Sequence, residues 1–429
     1  QNPAALAAAT IARELDDDEL FGRAALTVVE TWVLLGMASP RLDPEVMGLL
    51  DEAVERLGHT PIGIRLRAYR MDMLGVVAPR SVEEADELIA AARRSGDAAA
   101  VAAAMRLTEW ASLTDIETIE SMHAQLRGIG RQTGDPMSEL ATELSEVILR
   151  MINGDLAASV AAVGRFEDLV ERFHLGVYRW LPAVWRVAQH VLAGRFDDAE
   201  RAWSATTEGL AGKVARYAIA IASFSYFEIC RQRGQLEPLV DAVGRSAARA
   251  DDPAFRCAHV LALVETGNLS DARVAYAAHK ARPIAPTALY FLPAQFHFRT
   301  LVAHRLDDAE LGEDLYSLGK EFADLIVVGG PFAACYGSAQ YALGLAASLC
   351  ERWKDAEEHF TLARERNAAI ESPPWVAYTE YDHALMLSRQ GRAKDRTRAR
   401  ELGSSALAAA QALDMARLAR EAGELLARL

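Results

Sequence analysis

The feature that most narrows what this chain can fold into is a motif that returns about every forty residues. Segments such as LAGRFDDAERAW from Leu192, VETGNLSDARVAY from Val264 and CERWKDAEEHF from Cys350 share one grammar. An apolar helix end meets a turn residue, an apolar anchor follows, and a small residue opens the next helix. With the turns at Gly154, Gly194, Gly234, Gly267, Arg305, Arg352 and Gly391, the intervals are 40, 40, 33, 38, 47 and 39 residues. Glycine after a helix adopts the left-handed conformation cheaply, and the Asp or Ser that follows accepts hydrogen bonds from the free amides of the next helix. Phe196, Leu269, Leu306 and Trp353 are expected to fill the gap between paired helices, while Ala199, Ala272, Ala309 and Ala356 let the backbones approach. One such hairpin cannot bury its own faces, so the units must stack.

A second class of junction lies between the hairpins: RRSGDAAA from Arg93, RQTGDPMSE from Arg131, ARADDPAF from Ala248 and ESPPWVAY from Glu371. Gly or Asp stops one helix, and Asp, Ser or Pro starts another. Extending both patterns predicts an all-α, right-handed superhelix of roughly twenty to twenty-two helices, with no alternating strand. It reads as one solenoid over residues 1–429, less regular over 1–175 and more regular over 176–429. Composition agrees, because only 28 Gly and 15 Pro interrupt a chain rich in alanine and leucine.

The stretch LIVVGGPFAACYGSAQYALG, from Leu325 to Gly344, invites a different reading, as a strand, a glycine turn and a helix that cradle a phosphate. It lacks the Lys and the Ser or Thr of a P-loop, and its glycines do not follow GxGxxG. It also falls where an inter-hairpin turn is due. The expectation is a helix stop and restart, with Pro331 in the first turn of the new helix.

Net charge is −14, which repels the phosphates of nucleic acids and anionic membranes over most of the surface. No run approaches the roughly eighteen apolar residues of a membrane span, and the alanines near the start have no basic region before them, so a cytoplasmic protein is expected. Cys230, Cys257, Cys335 and Cys350 are scattered without a CxxC pair and read as reduced, buried thiols. DDDEL from Asp16 resembles a magnesium clamp of all-α prenyl-transferring enzymes, but Leu20 stands at its fifth position and a solvated helix start explains it. No HExxH, paired histidines or GxSxG elbow occurs, and Ser338 in YGSAQ reads as a small-residue helix contact. No catalytic residue, metal or cofactor is expected.

The order of blocks NPAALAAATIA, DPEVMGLLDEAVERLG, SVEEADELIAAARRSGD, YRWLPAVWRVAQHVLAGRFDDAERAW, LIVVGGPFAACYGSAQYALGLAASLCERWKDAEEHFTLA and WVAYTEYDHALMLSRQGRAKDRTRARELG resembles the tetratricopeptide-type helical arm of bacterial signal-transduction NTPases. The likeness is to the arms of actinobacterial LuxR-type regulators and ATPase-coupled adenylate cyclases, and it covers nearly the whole chain. The resemblance implies a sensor or docking arm, either part of a larger regulator or standing alone, whose concave groove receives a small-molecule inducer or a peptide. An NTPase module, attached or separate, is the implied partner. In the family's register the groove positions fall on Leu181, Val184 and Ala188, on Ile221, Phe224 and Glu228, on Leu292, Gln295 and Arg299, and on Tyr378, Tyr381 and Leu385. Of these, Phe224, Glu228, Gln295, Arg299, Tyr378 and Tyr381 are the candidate groove residues, because polar or amphipathic groups on an inner helix face need a partner or water. Three functions compete: a binding arm, a static scaffold, and an all-α enzyme that uses the groove as an active site.

Overall fold

The computed structural model describes residues 3–33, 44–74, 81–108, 116–208, 210, 212–250, 253–280, 292–330 and 333–429. Those residues form twenty-two α-helices and one two-stranded sheet, so the described part of the chain is all-α apart from a single hairpin. No described helix is long and apolar enough to cross a membrane. Two compact units divide the chain, the first built on residues 1–149 and 160–178, the second on 150–159, 179–284 and 291–429.

The first unit comprises α1 (Pro3–Glu14), α2 (Asp18–Val33), α3 (Pro44–Leu57), α4 (Pro61–Leu74), α5 (Val82–Ser95), α6 (Ala98–Thr108), α7 (Ile116–Thr133), α8 (Pro136–Ile152) and most of α9 (Leu156–Arg172). Helices α2, α4 and α6 pack in series, with α1, α3 and α5 beside them. Their shared core is apolar, with Phe21, Leu50, Leu66 and Tyr69 all buried. The acidic run at Asp16 starts a helix, since the Asp17 carboxylate accepts a hydrogen bond from the Leu20 amide at 2.9 Å. At the next junction Gly96 is left-handed (φ 69°) and Asp97 accepts from the Ala100 amide at 2.7 Å, as RRSGDAAA predicts. The ARADDPAF junction lies partly outside the described residues.

The second unit continues with α10 (Trp180–Leu192), α11 (Phe196–Glu208), α12 (Gly212–Arg233), α13 (Val240–Ala250), α14 (Pro253–Glu265), α15 (Leu269–Lys280), α16 (Leu292–Leu306) and α17 (Gly312–Gly319). Strands β1 (Ile326–Gly329) and β2 (Ala334–Ser338) follow, then α18 (Ala339–Leu349), α19 (Trp353–Ala369), α20 (Pro373–Gln390), α21 (Arg396–Ala412) and α22 (Ala416–Arg428). Neighbouring helices pair, and α14, α16, α18, α20 and α22 also touch in series. Helices α10 and α12, which touch each other, meet α20 and α22 respectively.

The glycine turns behave as their sequence predicts. At Gly194 (φ 73°) the amide reaches the Val191 carbonyl and the Arg195 amide reaches that of His190, and the same paired closure recurs at Gly154, Gly234 and Gly267. Two predicted turn positions shift: the left-handed residues are Asp307 and Glu351, in place of Arg305 and Arg352. The intervals from Gly267 to Gly391 then become 40, 44 and 40, more regular than the sequence alone suggests.

The anchors behave less uniformly. Phe196 and Leu306 are buried, but Leu269 is 47% exposed and Trp353 is only half-buried. Ala199, Ala272 and Ala356 are fully buried, whereas Ala309 is exposed, because a short 3-10 turn replaces the helix opening there.

The expected helix restart after Leu325 is not what forms. Val328 pairs with Cys335 and Gly329 with Ala334 in an antiparallel hairpin, and α18 begins only at Ala339, while Pro331 lies outside the described residues. The β-branched run Ile326, Val327, Val328 suits a strand. Every residue of both strands is buried, which removes the apolar–polar alternation by which a strand is usually recognised. Ser338 ends β2 and caps α18, its side chain accepting from the Gln340 amide. The hairpin touches α10, α12, α16, α18 and α19.

Candidate binding wall of the second unit

An interior wall of ionic and aromatic side chains is the chemically distinctive part of the second unit. Glu228, Arg231 and Gln232 come from α12, Glu265 from the end of α14, Trp375 and Tyr378 from α20, and Arg417 from α22. Arg231 is fully buried, with its Nε 3.0 Å from Glu265 Oε1 and its Nη1 3.1 Å from Glu228 Oε1. Gln232 Nε2 also donates to Glu228 Oε1 at 2.6 Å. Arg417 Nη2 lies 3.1 Å from Glu265 Oε1 and donates to the Tyr378 hydroxyl at 2.9 Å, while its Nη1 reaches Glu421 at 2.8 Å. The Arg231 guanidinium also sits 5.6 Å and 5.4 Å from the ring centroids of Trp375 and Tyr378.

Burial dominates the electrostatics. It pushes the Glu228 carboxyl above its ordinary range despite Arg231 and Gln232. Burial works against the charge of Arg231, but Glu265 and Glu228 outweigh it and hold the guanidinium protonated. His297, on α16 among the rings of Tyr336, Tyr341 and Trp375, is pushed down to about 3 by burial and by Arg231, so its imidazole is neutral. A neighbouring cluster repeats the theme: the Tyr341 hydroxyl donates to Asp382 at 2.6 Å, Arg305 Nη1 lies 3.4 Å from the same carboxylate, and burial raises the Asp382 carboxyl.

Several buried atoms of this wall have no hydrogen-bond partner among the described residues: Glu228 Oε2, Arg231 Nη2, Gln232 Oε1, Glu265 Oε2, Arg417 Nε and both ring nitrogens of His297. Each such atom costs about 1 to 3 kcal/mol.

The sequence-predicted residues distribute unevenly over this wall. Glu228 and Tyr378 are fully buried and both belong to it, joined through Arg231. Tyr381 is buried with its ring 5.6 Å from Arg305, and burial pushes its hydroxyl up to about 12. Phe224 is half-buried against Phe255, 5.4 Å between ring centroids. Arg299 and Gln295 are buried on α16, with Arg299 Nη2 donating to the Lys280 carbonyl at 2.9 Å. Residues lining an open groove would be solvated; Glu228, Gln295, Arg299, Tyr378 and Tyr381 are packed over.

Sequence reasoning missed Arg231, Glu265, His297, Trp375 and Arg417. Arg231 and Glu265 stand in the last turn of their helices, where a charge ordinarily faces water, so their spacing gave no warning of burial.

Two hydrogen-bonded chains elsewhere imitate catalytic relays. In the first unit His123 Nδ1 lies 2.6 Å from Glu146 Oε2 and Nε2 lies 3.0 Å from Ser145 Oγ. Ser145 is buried within α8, whose amides are committed to the helix, so no oxyanion donors flank it. In the second unit the Tyr316 hydroxyl lies 3.2 Å from His359 Nε2, and His359 Nδ1 lies 2.6 Å from Gln340 Oε1. Burial raises the Tyr316 hydroxyl above its ordinary value, which opposes use as a nucleophile.

Where the start of α11 and the end of α12 face the turn between α21 and α22, two adjoining clefts of about 270 and 510 Å³ share Asp197, Arg233 and Asp414. Arg233 is paired there with Asp197 and with Glu200. No protein-family model matches the chain, and no curated protein matches it.

Proposed function

We propose that this chain is a non-enzymatic binding arm of a cytoplasmic bacterial regulator, built as a tetratricopeptide-like superhelix. Its second unit takes up a small-molecule inducer or a peptide against the wall of α12, α20 and α22, and passes the resulting change in hairpin packing to an attached or partner NTPase module. The observation that carries this reading is the wall itself. Buried ion pairs are often no more stable than apolar residues of similar volume, so a purely structural interior has little need of them. Polar atoms without partners, beside aromatic faces, suit a ligand that both donates and accepts hydrogen bonds.

The test is a thermal-shift screen against metabolites, nucleotides and peptides, followed by calorimetry of any hit with Glu228→Gln and Tyr378→Phe. Either substitution should weaken binding by about 1.5 kcal/mol or more, the scale of a hydrogen bond to a charged group. Unchanged affinity in both, with the fold intact, removes the wall from the binding site. A static scaffold is the second reading, favoured by the burial of every residue of α18; it expects partner proteins to bind the outer faces with no effect of either substitution.

A further inference from the structure

We propose that the line where α10–α12 meet α20–α22 is the opening edge of the second unit, a gate through which the interior wall becomes reachable; this rests on the binding reading above. Four observations carry it. First, α10 and α12 approach α20 and α22 far less closely than each approaches its own hairpin partner, and the groups that join the two sides sit at turns and in the ionic wall. The Ser372 hydroxyl donates to the Leu192 carbonyl at 2.9 Å, the Gly194 turn rests on Leu413 and Pro374, the Gly234 turn rests on Arg417, and Arg231 reaches Trp375 and Tyr378. Second, the line is bordered by two clefts that share Asp197, Arg233 and Asp414, so the side chains along that part of it do not interdigitate. Third, the facing residues Gly194 (φ 73°) and Asp414 (φ 54°) both belong to tight left-handed turns, so two compact turns, not two helix faces, meet there. Fourth, the helices on either side are each held by their own hairpin partners, α10 by α11 and α20 by α21, so separation leaves both sides folded.

Behind this edge lies Cys335, buried in β2, whose carbonyl accepts from Trp375 Nε1 at 3.1 Å. Cys257 is equally buried but belongs to α14 and packs on His279 of α15, away from the edge. Cys350 is half-buried and burial pushes its thiol up to about 11, so it serves as a reference thiol outside the edge.

The experiment is iodoacetamide alkylation of the full chain, resolved by peptide mass spectrometry, across urea concentrations below the unfolding transition. In the wild type Cys335 should react faster than Cys257 and with a weaker dependence on urea, the signature of partial opening. Ser372→Ala and Leu413→Ala should each speed Cys335 by about fivefold, the scale of one net hydrogen bond or small apolar contact, and leave Cys257 nearly unchanged. The gate is overturned if Cys335 and Cys257 react together with the same steep urea dependence, or if neither substitution moves Cys335 while Cys350 reacts as before. The wild-type comparison decides the matter even if a variant folds poorly. No ligand is added, so failure here removes the gate and leaves the binding reading to its own test.

Discussion

The helices from Pro3 to Thr108 and those from Trp180 to Arg428 are punctuated alike, yet they bury different chemistry. In the first set the core is aliphatic and aromatic, and charge stays at the rim: Arg13 and Arg56 approach the ring of Phe21 at 5.1 and 4.9 Å while remaining partly in water. In the second set Arg231, Glu228, Glu265 and Arg417 lie inside and are paired with one another, and the two guanidiniums keep their charge because carboxylates lie beside them. Helical hairpins thus specify how backbone stacks, not what the stack encloses. A rim ion pair is worth little, whereas an interior one is costly to break.

The largest expected effect tests this contrast directly. Arg231→Met leaves Glu228 buried without its cation and Glu265 with Arg417 alone, and should cost the second unit about 3 to 5 kcal/mol, whereas Arg56→Met in the first should cost about 1 kcal/mol or less. Urea unfolding followed by hydrogen exchange, which separates the units, measures both; equal losses would erase the distinction.

Protonation provides the next. The neutral His297 imidazole is depressed to about 3 from an unfolded value near 6.5, so its contribution is present above 6.5 and is lost as pH falls toward 3, at about 1.4 kcal/mol per pH unit for one proton. His297→Phe should flatten that part of the stability profile. Glu228 has the opposite sign: its carboxyl is raised, so its contribution is present at low pH and fades as pH rises above the ordinary carboxylate range. Glu228→Gln should therefore remove a loss on the alkaline side, and a profile unchanged by both variants would show that neither group titrates with folding.

A smaller effect is expected at Trp353. A fully buried aromatic would lose about 3 to 5 kcal/mol on truncation, but this ring is half-buried, and Trp353→Ala should cost about 1 to 2 kcal/mol. Hydrogen exchange should place the loss in the hairpins around α19, as nearest-neighbour stacking requires.

The smallest effect concerns the turns. Asp307 and Glu351 occupy left-handed positions (φ 58° and 55°) that glycine fills in the five other repeats, at Gly154, Gly194, Gly234, Gly267 and Gly391. Asp307→Gly and Glu351→Gly should each be neutral or stabilising by up to about 1 kcal/mol, with Glu351 gaining more because Asp tolerates this conformation better. A clear destabilisation at either site would mean that its side chain has a role beyond the turn.

Of the candidate wall, the register implied by the resemblance pointed to Glu228 and Tyr378, and the amphipathic character of Tyr381 and Arg299 was readable in the sequence. It could not reveal that these residues are packed over, nor that Arg231 and Arg417 are the groups they answer to. The hairpin at Ile326 was hidden for a related reason, since burial on both faces leaves an apolar run with no period to read.

What the sequence by itself determined is the punctuation: where helices stop, which residues cap them, and hence an all-α chain of about the observed number of helices. Those choices rest on dihedral preferences and hydrogen bonds that act within a few residues. Tertiary structure alone decided what is inside. Ser372 meets Leu192 across 180 residues, and Arg231 meets Trp375 across a comparable span. The free energy of burying a charge depends on such distant partners, and no local pattern carries that information.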